Sequence, residues 1–142
     1  MQNRKATSND YDVILKLWET SVLASHNFLS SEDFQEMKNK IPSYLPHPDV
    51  RLWYMEDLII GFSSIRDNHL EMLFLDPKEV GQGYGKEIIQ VLINEFGVKT
   101  VDVYKDNKNA KLFYLKNGFL IVREELTDGF GRPYPVLHLK LK

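Results

Sequence analysis

Cysteine is absent from this 142-residue sequence, which excludes disulfides, thiolate metal sites and a cysteine nucleophile. No apolar segment approaches the roughly 18 residues that a membrane-spanning helix needs. The first residues also lack the apolar stretch of a signal peptide. The sequence therefore predicts a cytoplasmic protein that does not enter a membrane.

Clusters of positive charge and of histidine are missing as well. The net charge is −2 and lysine and arginine form no run, so no nucleic-acid partner is expected. The four histidines show neither H-x-x-H nor H-E-x-x-H spacing, which argues against a metal site. A G-x-S-x-G elbow is absent too, so serine hydrolysis has no support.

The remaining composition, 43% hydrophobic and 27% charged, is ordinary for a globular chain, and residues 1–142 are predicted to form one domain. Apolar spacing and breaker residues predict an α+β domain with a mixed sheet. The predicted elements are a strand at 2–6, helices from 8 to about 24 and from 30 or 31 to 42, strands at 50–55, 58–65 and 70–75, a helix at 86–96, a strand at 100–104, a helix at 107–117, and strands at 119–124 and 136–141. Pro42 is expected to end or bend the second helix.

The rest of the chain is organised around residues 70–96. An apolar run predicts a buried strand at 70–75, which the following Asp-Pro pair ends. Glycine then recurs at alternate positions from Gly81 to Gly85, and helical apolar spacing begins at Lys86. The bare N–H groups of such a turn and the positive end of the helix dipole suit a phosphate.

Spacing separates the known phosphate loops. A Walker loop needs glycine where this chain has Val80 and Ser or Thr where it has Glu87, so that interpretation fails. The glycines do not fit a dinucleotide fingerprint either, although Asp102 lies about twenty residues on, where that fingerprint wants an acid. A dinucleotide site, and a tight glycine turn without any ligand, stay open as alternatives.

A second constellation lies in the predicted late helix. Asn107, Ala110 and Tyr114 fall at i, i+3 and i+7, which puts them on one helical face. That face offers an amide, a small residue that permits close approach, and a phenol. Gly118 and Phe119 then close the pattern N-x-x-A-x-x-F-Y-x-x-x-G-F.

Asp-Pro, G-x-G-x-G and an amphipathic helix, followed about twenty residues later by this pattern, resemble the GNAT (Gcn5-related) N-acetyltransferases. The two motifs span about half the chain, and residues 25–29 and 131–135 further resemble a bacterial branch of the family. The family usually has Arg or Gln where this chain has Val80. The resemblance implies a mixed α/β acyl-CoA N-acyltransferase fold, with a mostly antiparallel twisted sheet, a splayed central strand pair and about four flanking helices.

The resemblance also implies acetyl transfer from acetyl-CoA to a primary amine by direct attack in a ternary complex. The glycine turn would hold the pyrophosphate, the splayed strand edge the pantetheine, and Tyr114 would protonate the departing thiolate. The residues so assigned to acetyl-CoA are Leu73, Phe74, Leu75, Val80, Gly81, Gln82, Gly83, Tyr84, Gly85, Lys86, Asn107, Ala110 and Tyr114.

The general base and the acceptor are less well defined. Glu71 alternates with its neighbours on the central strand and is expected to point into the acceptor cleft. His26, in a loop expected to roof the acceptor site and to titrate near neutrality, and His69 are alternatives. Phe28, from the same loop as His26, is the second predicted acceptor-binding residue. Aromatic residues that could line an amine pocket or fill the core are Trp18, Phe28, Phe34, Tyr44, Trp53 and Tyr134.

Two other functions remain open at this point. A protein of the same fold could bind CoA without catalysis, as a sensor or scaffold, and the glycine turn could belong to a nucleotide-binding domain. The expected partners of the enzyme are acetyl-CoA and an amine acceptor, either a small molecule or a peptide, with no metal. Both a monomer and a homodimer are compatible with the sequence.

Overall fold

A computed structural model describes residues 1–142, which form seven strands and four α-helices. The strands are β1 (Gln2–Lys5), β2 (Asp49–Met55), β3 (Leu58–Arg66), β4 (His69–Leu75), β5 (Thr100–Tyr104), β6 (Phe119–Glu125) and β7 (Val136–Leu141). The helices are α1 (Tyr11–Ser25), α2 (Ser31–Tyr44), α3 (Tyr84–Asn94) and α4 (Lys108–Lys116). Short 3₁₀ turns lie at Ser8–Asp10 and Pro77–Glu79.

One sheet in the order β1-β2-β3-β4-β5-β7-β6 contains all seven strands. Every neighbouring pair is antiparallel except β4 and β5, which are parallel. Those two strands pair only at His69–Thr100 and Leu70–Val101, and their remaining residues diverge. This arrangement confirms the mixed fold and the splayed central pair that the sequence predicts.

Helices cover both faces of the sheet, and each face has its own core. Helices α3 and α4 pack over one core, whose fully buried members include Ile88, Ile89 and Leu92. Helices α1 and α2 cover β2, β3 and part of β4 on the opposite face, around Ile14 and Phe62. The splayed strands therefore open between two packed layers. None of the helices is both long and apolar enough to cross a bilayer.

Strand β4 carries a β-bulge at Glu71. Ser64 pairs with Met72, but the next residue of β3, Ile65, pairs with Leu70, so Glu71 is the extra residue. A bulge interrupts the alternation of a strand. As a result Leu70 packs in the α3–α4 core, whereas Met72 and Phe74 pack against the α1–α2 core.

Several helix boundaries differ from the prediction by a few residues, and two of them bear on the cleft and the glycine loop. Helix α2 does not end at Pro42 but continues to Tyr44, with Pro42 inside its last turn. Only two residues follow the proline, so little of the helix is affected by the hydrogen bond that proline cannot donate. Helix α3 begins at Tyr84 rather than Lys86, directly after Gly83, whose φ of +84° ends the loop in a left-handed conformation.

Gly61 on β3 is required by the close approach of β4. A Cβ built at Gly61 would lie 2.4 Å from the carbonyl oxygen of Phe74, which is a backbone atom that cannot rotate away. We expect Gly61→Ala to lower the free energy of unfolding by about 1–3 kcal/mol, measured by thermal or urea denaturation. Gly129→Ala is the control, since no atom lies within 4 Å of its added Cβ. Equal stabilities of the two variants would contradict the close approach.

Candidate functional site

A cleft of about 420 Å³ opens where β4 and β5 diverge. Helices α1 and α2, the two splayed strands, α4 and the loop between β6 and β7 all contribute to its walls. Seven of the residues predicted for the site line it: His26, Glu71, Leu73, Phe74, Asn107, Ala110 and Tyr114. The glycine loop, Leu75 and Phe28 lie outside the lining.

The edge of β4 that faces β5 presents free backbone groups to this cleft. The Asp76 N–H donates to the Ile60 carbonyl of β3, and Phe74 is paired with Phe62 in the same register. Because backbone groups alternate sides along a strand, the N–H and C=O of Leu73 and Leu75 point away from β3. The Leu75 carbonyl accepts a hydrogen bond from Ser21 of α1 at 2.6 Å. An amide-rich chain could add to the rest of this edge as an extra strand.

The glycine loop between β4 and α3 has the geometry of an anion site. Gly81 and Gly83 have φ of +91° and +84°, and open space lies beside both. No backbone N–H from Gly81 to Lys86 donates to a protein acceptor. At Gly85 an added Cβ would lie 3.1 Å from the Phe113 ring, so glycine lets α3 approach α4. The free N–H groups and the start of α3 together fit a pyrophosphate.

Val80, at the start of this loop, is 62% exposed. A valine there takes away the side-chain donor that Arg or Gln would provide. The backbone N–H groups that follow it are unaffected, since they belong to residues 81–86. Gln82 is turned away toward Glu79, whose Oε2 lies 3.1 Å from the Gln82 Nε2. The loop therefore offers an anion its backbone rather than these two side chains.

Asn107 lies at the N-cap of α4 and not inside the helix as predicted. Its Oδ1 accepts from the Ala110 N–H at 3.2 Å, which is ordinary capping chemistry. Its Nδ2 lies 3.3 Å from the Nε2 of His26. Since the cap fixes the orientation of the amide, Nδ2 donates to His26 and keeps a second hydrogen for a ligand.

Tyr114 is buried in α4, with its ring edge-to-face against Phe113 and Phe119. The ring belongs to the α3–α4 core, and the same residue lines the cleft. Its hydroxyl makes no hydrogen bond within the protein and is not fully enclosed, so it is free to bind a ligand in the cleft. Burial raises the pKa of Tyr114, so the phenol keeps its proton at neutral pH.

Glu71 also lines the cleft, but not for the reason that the sequence suggested. Simple alternation would put Glu71 and Met72 on opposite faces of β4, whereas the bulge directs both toward the α1–α2 side. One carboxylate oxygen, Oε1, accepts from the Tyr44 hydroxyl and from Arg66 Nε, each at 3.0 Å. The side chain is 27% exposed. A carboxylate that is held and partly open is suited to accept a proton.

The prediction that His26 titrates near neutrality is wrong. Its ring is half-buried between Phe74 of β4 and Tyr104 of β5, at centroid distances of 6.1 and 6.0 Å. Burial lowers the pKa of His26 to about 4, because the charged form loses its hydration. Since Asn107 donates to Nε2, the proton lies on Nδ1, which contacts the Ser25 hydroxyl at 2.8 Å. Phe28 packs against the same cluster, 5.6 Å from Tyr104.

Sequence reasoning missed the strap, the loop of residues 126–135 between β6 and β7, which closes one side of the cleft. Arg132 in the strap is buried, and its guanidinium binds Asp128 at 3.2 Å and Glu36 of α2 at 2.7 Å. The Tyr134 hydroxyl also donates a hydrogen bond to Asp33 of α2. The clustering of Gly, Arg, Pro and Tyr at 131–135 was the only local signal.

The aromatic candidates divide between cleft and core. Trp18 and Tyr44 line the cleft, and Phe34 stacks on Trp18 at 5.4 Å. Trp53 is fully buried, with its Nε1–H donating to Ser63. His69, the other base candidate, contacts Thr100 and Asp102 and lies outside the lining. Acidic and histidine side chains do not gather anywhere in an arrangement that could hold a metal ion.

Comparisons with known proteins agree with this geometry. The family described as "Acetyltransferase (GNAT) domain" matches residues 18–130. Peptidyl-lysine N-acetyltransferase YjaB of Escherichia coli is 31% identical over 139 residues, which cover 96% of this chain and 93% of YjaB. The solution structure of apo-form YjaB from E. coli matches with a TM-score of 0.90 at 30% identity, over 99% of this chain and 96% of that chain.

A more distant structure shares the fold. PaiA N-acetyltransferase from Thermoplasma acidophilum, in complex with coenzyme A, has a TM-score of 0.69 at 20% identity, over 98% of each chain. The family expected from the two motifs is thus confirmed, and with it an enzyme rather than a non-catalytic CoA-binding scaffold. The chain belongs to the GNAT family of N-acetyltransferases, which take their acetyl group from acetyl-CoA.

Proposed function

We propose that the protein acetylates the side-chain amine of lysine residues in peptides or proteins. The acceptor class is taken from the name of YjaB, peptidyl-lysine N-acetyltransferase, to which the chain is 31% identical over nearly its whole length. The proposal extends to a cytoplasmic protein in which residues 1–142 act as one catalytic domain.

The chain holds the donor with backbone more than with side chains. The free N–H groups from Gly81 to Lys86 bind the pyrophosphate, which the start of α3 stabilises further. The Leu73 carbonyl and the Leu75 N–H, which are the groups still available on the unpaired edge, bind the amide groups of the pantetheine arm. Asn107 donates a hydrogen bond to that arm through the second hydrogen of its Nδ2, and the small side chain of Ala110 leaves room beside it.

Two side chains move the protons of the reaction. Acetyl-CoA supplies the acetyl group as an activated thioester. Glu71 removes a proton from the lysine ammonium, so that the nitrogen lone pair can attack directly in a ternary complex. The Leu73 N–H donates a hydrogen bond to the oxygen on which negative charge develops. Tyr114 donates its phenolic proton to the departing sulfur, and the second nitrogen proton, which is released as the tetrahedral intermediate collapses, restores the Tyr114 phenol.

One observation carries this proposal. Glu71 lies on β4 and contacts Tyr44 of α2, whereas Tyr114 lies on α4, which packs on the opposite face of the sheet, yet both residues line the same cleft. Glu71 presents a carboxylate that is not enclosed, and Tyr114 presents a protonated phenol with no protein partner. A base and an acid that line one cleft together with a free strand edge are what acyl transfer to an amine requires.

The first test is calorimetric titration with acetyl-CoA, with CoA, ATP and NAD as comparators. We expect selective binding of acetyl-CoA and CoA, because only they carry both a pyrophosphate for the loop and a pantetheine for the strand edge. Binding of ATP and NAD alone would support the dinucleotide alternative, whereas binding of none by the folded protein would mean that Val80 marks a disabled loop.

The acceptor class is tested by release of thiol, which a cysteine-free protein leaves without background. One peptide carries a single lysine and an acetylated N-terminus, and a matched peptide has a free N-terminus and arginine in place of the lysine. We expect turnover only with the first peptide. Turnover with the second peptide alone would reassign the enzyme to α-amines.

A further inference from the structure

Three side chains from two elements form a chain of hydrogen bonds that ends on Glu71. The hydroxyl oxygens of Ser64 on β3 and Tyr44 on α2 lie 2.8 Å apart. The Tyr44 hydroxyl lies 3.0 Å from Glu71 Oε1, and Arg66 Nε, also from β3, lies 3.0 Å from the same oxygen. Tyr44 is the last residue of α2, beyond Pro42, so its position depends on the helix continuing past the proline.

The direction of each bond follows from the chemistry of the groups. An ionised carboxylate only accepts, so the Tyr44 hydroxyl donates to Glu71. Because that hydroxyl has one hydrogen, Ser64 must then donate to Tyr44. Burial, together with the negative charge of Glu71, raises the pKa of Tyr44, so this donor keeps its proton throughout the neutral range.

The two oxygens of the Glu71 carboxylate are therefore not equivalent. Oε1 accepts from Tyr44 and from Arg66, while Oε2 has no partner in the protein. Two donors on one oxygen fix the rotation of the carboxylate about its last bond. Oε2 is thereby left as the oxygen that can accept a proton.

We propose that Tyr44 is the positioning residue of the catalytic base: its hydroxyl holds the Glu71 carboxylate turned so that the unpartnered Oε2 faces the acceptor amine. The inference rests on the proposed role of Glu71. Tyr44 does not contact the reacting atoms itself, and the Ser64 hydroxyl holds it by donating a hydrogen bond to its oxygen. Arg66 contributes less, because its side chain is 48% exposed and water competes for its charge.

Other charged groups near Glu71 must be controlled for. His69 on β4 feels its charge and also pairs with Asp102 of β5, at 3.4 Å. The hydrogen bond to Asp102 raises the pKa of His69, which favours its charged form. Asp102 is itself shared with His138 of β7, at 2.6 Å. Each variant is therefore measured at one fixed pH, in the native background and in the His69→Gln background.

The test compares Tyr44→Phe with the native enzyme. We expect kcat to fall about tenfold, with an unchanged affinity for acetyl-CoA, because one charge-assisted hydrogen bond to the base is lost. We also expect the KM for the lysine peptide to stay within about twofold of the native value, since Tyr44 orients the base and does not hold the acceptor. Tyr54→Phe is the control, as its ring lies on β2, outside the cleft lining, and it should leave both kcat and KM unchanged.

Glu71→Gln separates the two proposals. Full activity in Glu71→Gln would remove the proposed base, and the positioning role with it. A strong loss in Glu71→Gln, combined with a native kcat in Tyr44→Phe, would overturn only the role of Tyr44. If Tyr44→Phe does not fold, Ser64→Ala takes its place: a smaller fall in kcat at unchanged KM supports the chain of donors, and a native kcat overturns it.

Discussion

Tyr114→Phe is expected to bind acetyl-CoA with unchanged affinity and to release thiol about 10²–10⁴-fold more slowly than the native enzyme. The substitution removes only the hydroxyl, which makes no hydrogen bond inside the protein, so the packing of its ring against Phe113 and Phe119 is preserved. What is lost is the proton for the departing sulfur. The measurement is steady-state thiol release, with calorimetry for the affinity.

The thermal midpoint of the variant is the internal control. Because the Tyr114 hydroxyl has no partner in the folded protein, its removal should leave the midpoint within a few degrees of the native value. A large fall in stability would mean that the phenol belongs to the core alone. Turnover within about twofold of the native rate would exclude Tyr114 as the acid and point to water or another donor.

The second large effect is expected at Gly83, where Gly83→Asp should weaken acetyl-CoA binding by at least about tenfold, or about 1.4 kcal/mol. The new carboxylate would lie beside the free N–H groups of the loop and repel the pyrophosphate. Nothing lies within 4 Å of the added Cβ, so the fold itself should tolerate the side chain. Calorimetric titration gives the affinity.

Gly83→Asn is the matched control for this variant. Aspartate and asparagine have nearly the same shape, and both must adopt the φ of +84° that Gly83 has. The asparagine variant therefore carries the same backbone strain without the charge. Equal affinities of the Asp and Asn variants would assign the loss to strain, and native affinity in both would remove the loop from the site.

Much of the fold follows from local patterns. The central strand begins one residue earlier than its apolar run predicts, and β5 has the predicted bounds, 100–104. Strand β4 is recognisable because most of its residues are apolar and an Asp-Pro pair follows it, and β5 because buried Val101 and Val103 alternate with exposed Asp102. The end of α2 was harder to predict from the sequence, because proline usually ends a helix and Pro42 does not. Tyr44 nevertheless stays helical, with its hydroxyl bonded to Ser64 and Glu71, neighbours far away in sequence.

The site was predictable where the backbone alone defines it. Alternate glycines imply left-handed conformations and exposed N–H groups, and Gly81 and Gly83 have them. The surroundings of individual side chains were harder to predict from the sequence. The bulge at Glu71 adds one residue to a strand, which no pattern of period two can reveal. The low pKa of His26 arises from burial beside Phe74 and Tyr104, and only the folded chain brings those rings together.

The gap between β4 and β5 has a consequence for anyone who engineers this protein. The two strands form only two residue pairs and then diverge. A design method that stabilises proteins by extending strand pairing would select this gap as a place to add pairs. Pairing the strands along their full length would add hydrogen bonds and would also close the cleft that is proposed to hold the donor. Stabilising substitutions are therefore best confined to the β1–β2–β3 half of the sheet, where the ladder is continuous except for a bulge between Trp53 and Tyr54.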